Sequence, residues 1–227
     1  TGGSLQATGR GLDFGIQNGD NSFFMVRGSS GEGVVQYTRD GGFFRDETGG
    51  LVTASGMRVL GYVPAAPIEI DEDTLAIDAD PNATLQPLVI HEKLVDADGN
   101  LVLDAEDNEI SLQSYSIDNT GSIVGTYSNG LSYQLGRIAL TSFNNPDGLE
   151  KQGGNLYNAT ANSGDPIQGA PSEEGFGMIR SGFLEMSNVD LANEFTDMIV
   201  TSRAYQANSR AITTSDEMLQ ELLNLKR

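Results

Sequence analysis

The chain has 227 residues, 38% of them apolar; 28 glycines, 7 prolines and no tryptophan point to a core of short strands and turns rather than a helical body. Thirteen Lys and Arg against 32 Asp and Glu leave a formal charge of −19, which argues against a nucleic-acid partner and against binding to an anionic membrane. Cysteine is absent, which excludes disulfides, thiolate metal sites and cysteine nucleophiles, and no segment approaches the roughly 18 apolar residues of a membrane helix.

No basic-then-apolar leader opens the sequence, and because Thr1 is not an initiator residue a preceding N-terminal part is expected. Glycines alternate with Leu12, Phe14 and Ile16, a pattern that suits a half-buried strand. Phe23–Val26 and Val34–Thr38 follow as strand candidates. Asp40-Gly41-Gly42 turns into Phe43–Arg45, Thr48-Gly49-Gly50 turns into Leu51–Thr53, and Arg58–Tyr62 closes an antiparallel meander.

The character changes at Val63-Pro64-Ala65-Ala66-Pro67. From Pro67 to Thr120 there are fourteen acidic residues and one base, Lys93, which predicts an inserted, outward-facing module with short strands of its own, such as Pro87–Ile90 and Asn100–Leu103. Strand pattern returns at Ser114–Asp118, Ser122–Tyr127 and Leu131–Leu135, with Asn129-Gly130 as the strongest hairpin signal because both residues tolerate positive φ. Arg137–Phe143 is a further strand. The Gly, Asn, Pro and Ser of residues 149–182 predict an extended stalk toward the C-terminal part.

From Ser187 onward the chain contains no glycine and no proline, which predicts one long helix. Ser187 with Asp190 is a capping-box start, and Lys226 and Arg227 complement the negative helix end. Leu191, Met198, Tyr205, Ile212 and Leu219 recur every seven residues, and Phe195 and Leu223 open and close a second row offset by four, with Ser202, Ser209 and Asp216 between them. Over Asn188–Lys226 the helix would be roughly 58 Å long, against about 35–40 Å for a compact domain built from the rest. The seam is therefore expected to project and to be completed by another helix, from this polypeptide or from a neighbouring copy.

The fold class expected is mainly β with one long C-terminal α-helix. Residues 1–62 and 121–186 form a discontinuous antiparallel β domain and stalk, 63–120 the small inserted acidic outer domain, and 187–227 a coiled-coil-like helix completing an inner layer. Little of this chain offers chemistry. His91 is the only histidine and has no nucleophile motif beside it, so it reads as a surface side chain. Asp96-Ala97-Asp98-Gly99-Asn100, with Asp104, Glu106 and Asp107, has the composition of a calcium loop, but Gly99 stands fourth after Asp96 instead of sixth, where a turn between strands would want it. No cofactor, metal or enzymatic activity is expected. A calcium- or carbohydrate-binding surface module centred on 67–120 is the alternative from a different class.

The wording of both ends, Thr1-Gly2-Gly3-Ser4-Leu5-Gln6-Ala7-Thr8-Gly9 with Leu12-Asp13, and Ser181-Gly182-Phe183-Leu184-Glu185-Met186-Ser187-Asn188-Val189-Asp190-Leu191, resembles the bacterial flagellar rod and hook family. So do Leu149–Asn155 and Arg203–Ser209. Asp190–Phe195 and Thr213–Leu222 are more similar to the family's hook subunits than to its distal-rod subunits, the alternative within the family. The resemblance implies a structural, non-enzymatic subunit, exported through the flagellar secretion channel without a cleaved signal. It would polymerise with its own copies outside the cell into the joint between rod and filament, and would meet rod, hook-cap and hook–filament junction proteins. It also implies an N-terminal helical segment that pairs with the C-terminal helix in an inner tube; this sequence does not contain it.

Overall fold

A computed structural model describes residues 3–28, 33–64, 67–70, 84–95, 100–103, 108–187 and 191–225. The chain divides into two compact units, Thr1–Met186 and Ser187–Arg227. In the first unit the strands are β1 (Leu5–Ala7), β2 (Phe14–Gln17), β3 (Ser22–Arg27), β4 (Gln36–Thr38), β5 (Phe43–Arg45), β6 (Leu51–Thr53), β7 (Arg58–Tyr62), β8 (Ile68–Glu69) and β9 (Gln86–Pro87). They continue as β10 (Leu112–Ile117), β11 (Ser122–Tyr127), β12 (Ser132–Ile138), β13 (Leu140–Ser142), β14 (Glu150–Gly153), β15 (Leu156–Asn158), β16 (Ile167–Gly169), β17 (Met178–Ser181) and β18 (Phe183–Glu185). The second unit is one helix, α1 (Leu191–Leu225). The pairings between these strands are antiparallel.

The largest sheet runs β10-β11-β12-β7-β3-β4-β15-β14, with β13 and β16 attached through β3, the β5–β6 hairpin through β7, and β8 and β9 added to β12 and β7. Its centre is β3, apolar at both parities. Successive strand residues point to opposite faces, so Phe24 and Val26 enter one cluster with Phe14, Phe43, Leu51 and Val59, while Phe23 and Met25 enter another with Tyr37, Leu60, Tyr62 and Phe143. Edge-on aromatic pairs fill both: Phe24 lies 5.2 Å from Phe43 between ring centroids, and Tyr37 4.8 Å from Phe143.

The described residues of the acidic segment join this body. Leu88, Ile90, Leu94 and Ile110 are buried with Phe24, Leu85 is buried with Phe23, and Gln86–Pro87 extends the sheet beside β7. Alternation explains this, since Leu88 and Ile90 share one face of their short segment. Asp71, Glu72, Asp73, Asp78 and Asp80 lie outside the described residues, as do Asp96, Asp98, Asp104, Glu106 and Asp107.

Residues 149–182 are not a stalk. They supply β14, β15, β16 and β17, which pair with β15, β4, β13 and β2. These strands are three or four residues long and their partners outside the β14–β15 hairpin are remote in sequence, so no local pattern marks them. The Arg137–Phe143 run is divided: β12 ends at Ile138 beside β7, Ala139 makes the change, and β13 pairs with β3 and β16.

At the β11–β12 hairpin the loop has three residues. Tyr127 N donates to Leu131 O at 3.0 Å and Gly130 N to Tyr127 O at 2.9 Å. Only Gly130 of the Asn129-Gly130 pair takes positive φ, at 81°, so the loop is of the glycine-bulge type and not the two-residue type. Two other turns share one design, Asp-x-Thr-Gly. Asp46 Oδ1 accepts from Thr48 N at 2.9 Å, Thr48 Oγ1 at 2.7 Å and Gly50 N at 2.7 Å. Asp118 Oδ1 does the same with Thr120 N at 2.9 Å, Thr120 Oγ1 at 2.7 Å and Ser122 N at 3.0 Å.

The hydroxyl of Thr48 is the main reason that the Asp46 carboxyl is held below its ordinary 3.8; the two backbone N–H groups and Arg58 add to it, against a partial desolvation. A carboxyl whose pKa is lower in the folded chain contributes stability above its ordinary value and loses it as pH falls through the folded one. Asp46→Asn is therefore expected to weaken the wild-type loss of stability below about pH 4, read as the slope of urea-unfolding midpoint against pH. An unchanged slope would show that the turn does not carry this linkage.

Candidate assembly surface

Helix α1 has 35 residues and is about 52 Å long at 1.5 Å per residue. Three of its hydroxyls are turned back onto the helix: Thr196 Oγ1 donates to Ala192 O at 2.8 Å, Thr213 Oγ1 to Arg210 O at 2.9 Å and Ser215 Oγ to Ala211 O at 2.9 Å. Glu194 stands in the first turn, where the helix end is positive. Asn188, Val189 and Asp190 lie outside the described residues, as do Lys226 and Arg227, and Ser187 precedes the helix.

The described side chains of α1 are exposed along its whole length. Phe195, Met198, Tyr205, Ile212 and Leu219 are each more than half exposed, Tyr205 reaching 75%; the side chains of Leu191 and Leu223 are not among those described. Ile199 and Leu222, also exposed, widen the apolar stripe toward its two ends, while Ser202, Ser209 and Asp216 interrupt it. Among the described side chains of α1 the apolar stripe is thus left exposed over the length of the helix.

The segment that leads into α1 is fixed on the β unit. β18 pairs with β1 in the register Leu5↔Glu185, Gln6↔Leu184 and Ala7↔Phe183, and Met186 N donates to Ser4 O at 2.8 Å. The two stretches whose wording stands out in the sequence are thus each other's partners. Around Gly182, which has φ 80°, Thr8 N donates to Gly182 O at 2.8 Å and Gly182 N to Asp13 O at 2.8 Å. Asp13 is buried; it accepts from Thr8 Oγ1 at 2.6 Å and faces Arg10 Nη1 at 3.3 Å.

Arg39 closes the site. Its Nε and Nη2 donate to Glu185 Oε2 at 3.0 and 2.8 Å, and Nη1 donates to the carbonyls of Gly19, Asp20 and Ser22 at 2.9, 2.8 and 3.0 Å. Glu185 Oε1 accepts from Gly3 N at 2.8 Å, so one ion pair joins four pieces of chain. Sequence reading missed Arg39 and Glu185 because 146 positions separate them. The available signal was scarcity: a base among so few, directly after a strand candidate.

His91 is exposed; partial desolvation pushes its imidazole below the ordinary 6.5, and its carbonyl accepts from Tyr127 Oη at 3.1 Å. Among the described residues no group of three or more His, Cys, Asp or Glu could hold a metal ion.

Comparison with known proteins places these elements. A family model described as "Flagellar hook protein FlgE/F/G D1 domain" matches residues 18–86, and one described as "Flagellar basal body rod FlgEFG protein C-terminal" matches residues 180–225. The chain is 40% identical over 225 residues to the flagellar basal-body rod protein FlgG of Bacillus subtilis, an alignment covering 99% of this chain and 69% of that protein. It is 56% identical over 115 residues to the flagellar hook protein FlgE of Borreliella burgdorferi, covering 51% of this chain and 26% of that protein. With the hook protein FlgE of Salmonella typhimurium the identity is 45% over 115 residues, 51% of this chain and 28% of that one.

The clamp generates a prediction. Glu185→Ala leaves the half-buried Arg39 fork without its carboxylate and frees Gly3 N, which should lower unfolding stability by about 2 kcal/mol. Glu185→Gln, which keeps an acceptor, should lower it by about half as much. Urea unfolding measures both, and equal effects would mean that charge plays no part.

Proposed function

The chain belongs to the family of bacterial flagellar hook and basal-body rod proteins, structural subunits of the flagellum, and from that premise we propose that it is the hook subunit, polymerising into the flexible tube between rod and filament. The observation that carries this reading is the uncovered seam of α1: Leu191, Phe195, Met198, Tyr205, Ile212, Leu219 and Leu223 are spaced to pack on other helices, and the described side chains among them are exposed in the single chain. The β1–β18 register supports the same reading. Because Leu5 lies opposite Glu185, the chain before Gly3 and the chain after Met186 leave the ribbon at one end, so a helical segment preceding Thr1 would start beside α1 and pair with it. Copies polymerise through such helix pairs.

Partners are further copies of the chain, then rod, hook-cap and hook–filament junction proteins at the ends. Export proceeds through the flagellar secretion channel without a cleaved signal, to the outside of the cell. Neither catalysis nor a cofactor enters the role.

Distal-rod subunit is the second reading, favoured by one observation: the FlgG relative aligns over 99% of this chain, whereas the FlgE relatives align over 51%. Expression of the full-length protein in strains lacking either the hook or the distal-rod subunit separates the two, since only one strain should regain its structure by electron microscopy.

The seam gives the molecular test. Ile212→Asp sets a charge into a desolvated helix contact, a cost of several kcal/mol in the polymer, but none in the free chain, where position 212 is exposed. The variant is expected to be exported and folded by circular dichroism and to build no hooks, while Gln220→Asp, off the seam, assembles. Hooks of ordinary length from Ile212→Asp, or equal damage from Gln220→Asp, would overturn the seam.

A further inference from the structure

The β1–β18 ribbon has a mechanical property that its register dictates. Both continuations of the chain leave it at the Leu5/Glu185 end. A pull on both together moves β1 and β18 in the same direction, so the hydrogen bonds between the two strands resist none of it. Resistance comes from the backbone itself, which runs from β18 through Gly182 into β17 and its pairing with β2, and from the side-chain and backbone ties of the ribbon to the rest of the β unit. At the far end Gly182 N donates to Asp13 O at 2.8 Å and Ser181 Oγ to Gly11 O at 2.8 Å. At the exit end Leu5 packs over Gly15 of β2, and the polar tie is made by Arg39, which reaches across to Glu185 with one side of its guanidinium and holds three carbonyls of residues 19–22 with the other.

We propose that Arg39 is the positioning residue through which axial load from the helical layer passes into the β unit, and that it thereby sets the bending stiffness of the polymer. The proposal rests on the hook reading above. The ion pair suits the task. The side chains of Arg39 and Glu185 are 20% and 11% exposed, which limits competition from water and salt. A planar fork can address the carboxylate and the carbonyl cluster at once, whereas a lysine ammonium is a single point that cannot span both.

The test compares wild type with Arg39→Lys and Arg39→Gln in two measurements. In the purified full-length subunit, hydrogen exchange should rise about ten-fold or more at Leu5–Ala7 and Phe183–Met186 in both variants, while β3 and β7 keep their protection. Hooks built from either variant in a strain lacking its own hook subunit should show a broader distribution of curvature by electron microscopy than wild-type hooks at equal length. Unchanged exchange at 183–186 overturns the proposal, as does faster exchange spread over β3 and β7 with a lower melting temperature, the mark of a residue that merely stabilises the fold. Faster local exchange with hooks of unaltered curvature overturns the load-carrying role. If the wild-type subunit builds no hook, the hook reading fails, and the exchange comparison alone then decides whether Arg39 anchors the ribbon.

Discussion

Strand β3 must bury both of its faces, and the β unit follows from that requirement. Phe23, Phe24, Met25 and Val26 are consecutive and each is buried. Leaving either pair in water would forfeit about 1.5–3 kcal/mol per side chain. The chain therefore needs cover on two sides, and it draws that cover from everywhere: Phe14 and Phe43 from the N-terminal meander, Leu88 and Ile90 from the acidic segment, Phe143 and Leu149 from the region after β12. The acidic segment is tied to the body for this reason, whatever its carboxylates do. Short strands at the periphery are then tolerated, since their apolar residues already have a place to go.

A second constraint acts on charge. With 32 acidic residues against 13 basic ones, each Arg is a scarce resource, and the structure uses several of them to close the chain on itself over long sequence distances. Arg39 joins β18 to the loop before β3. Arg137, nearly buried, holds the carbonyls of Thr120 and Pro171 and faces Glu173 at 3.3 Å. Arg45 meets Glu92 at 3.0 Å, linking the meander to the acidic segment. Exposed pairs such as the last contribute little, whereas the forks that also hold backbone carbonyls satisfy groups that would otherwise be buried unpaired.

The two units illustrate opposite uses of apolar residues. In the β unit they are consumed internally. In α1 the described apolar side chains are displayed, because a single helix has no second layer of its own on which to bury a stripe. The ribbon of β1 and β18 is where one use gives way to the other.

Helix α1 was legible from the sequence because helical order is local: absence of Gly and Pro and a seven-residue spacing concern residues that are neighbours on one element. Glycine turns such as those at Gly49 and Gly121 were legible too, since positive φ is a property of single residues. The sequence by itself thus determined the fold class, the turns, the helix and its stripe, and the wording of the two ends. Only the tertiary structure decided that those ends are paired strands, that residues 149–182 are strands of the body, that Leu88 and Ile90 cover β3, and that Arg39 finds Glu185. The reason is that strand pairing and ion pairing join residues at arbitrary separations, and a three-residue strand has too few positions to advertise its partner.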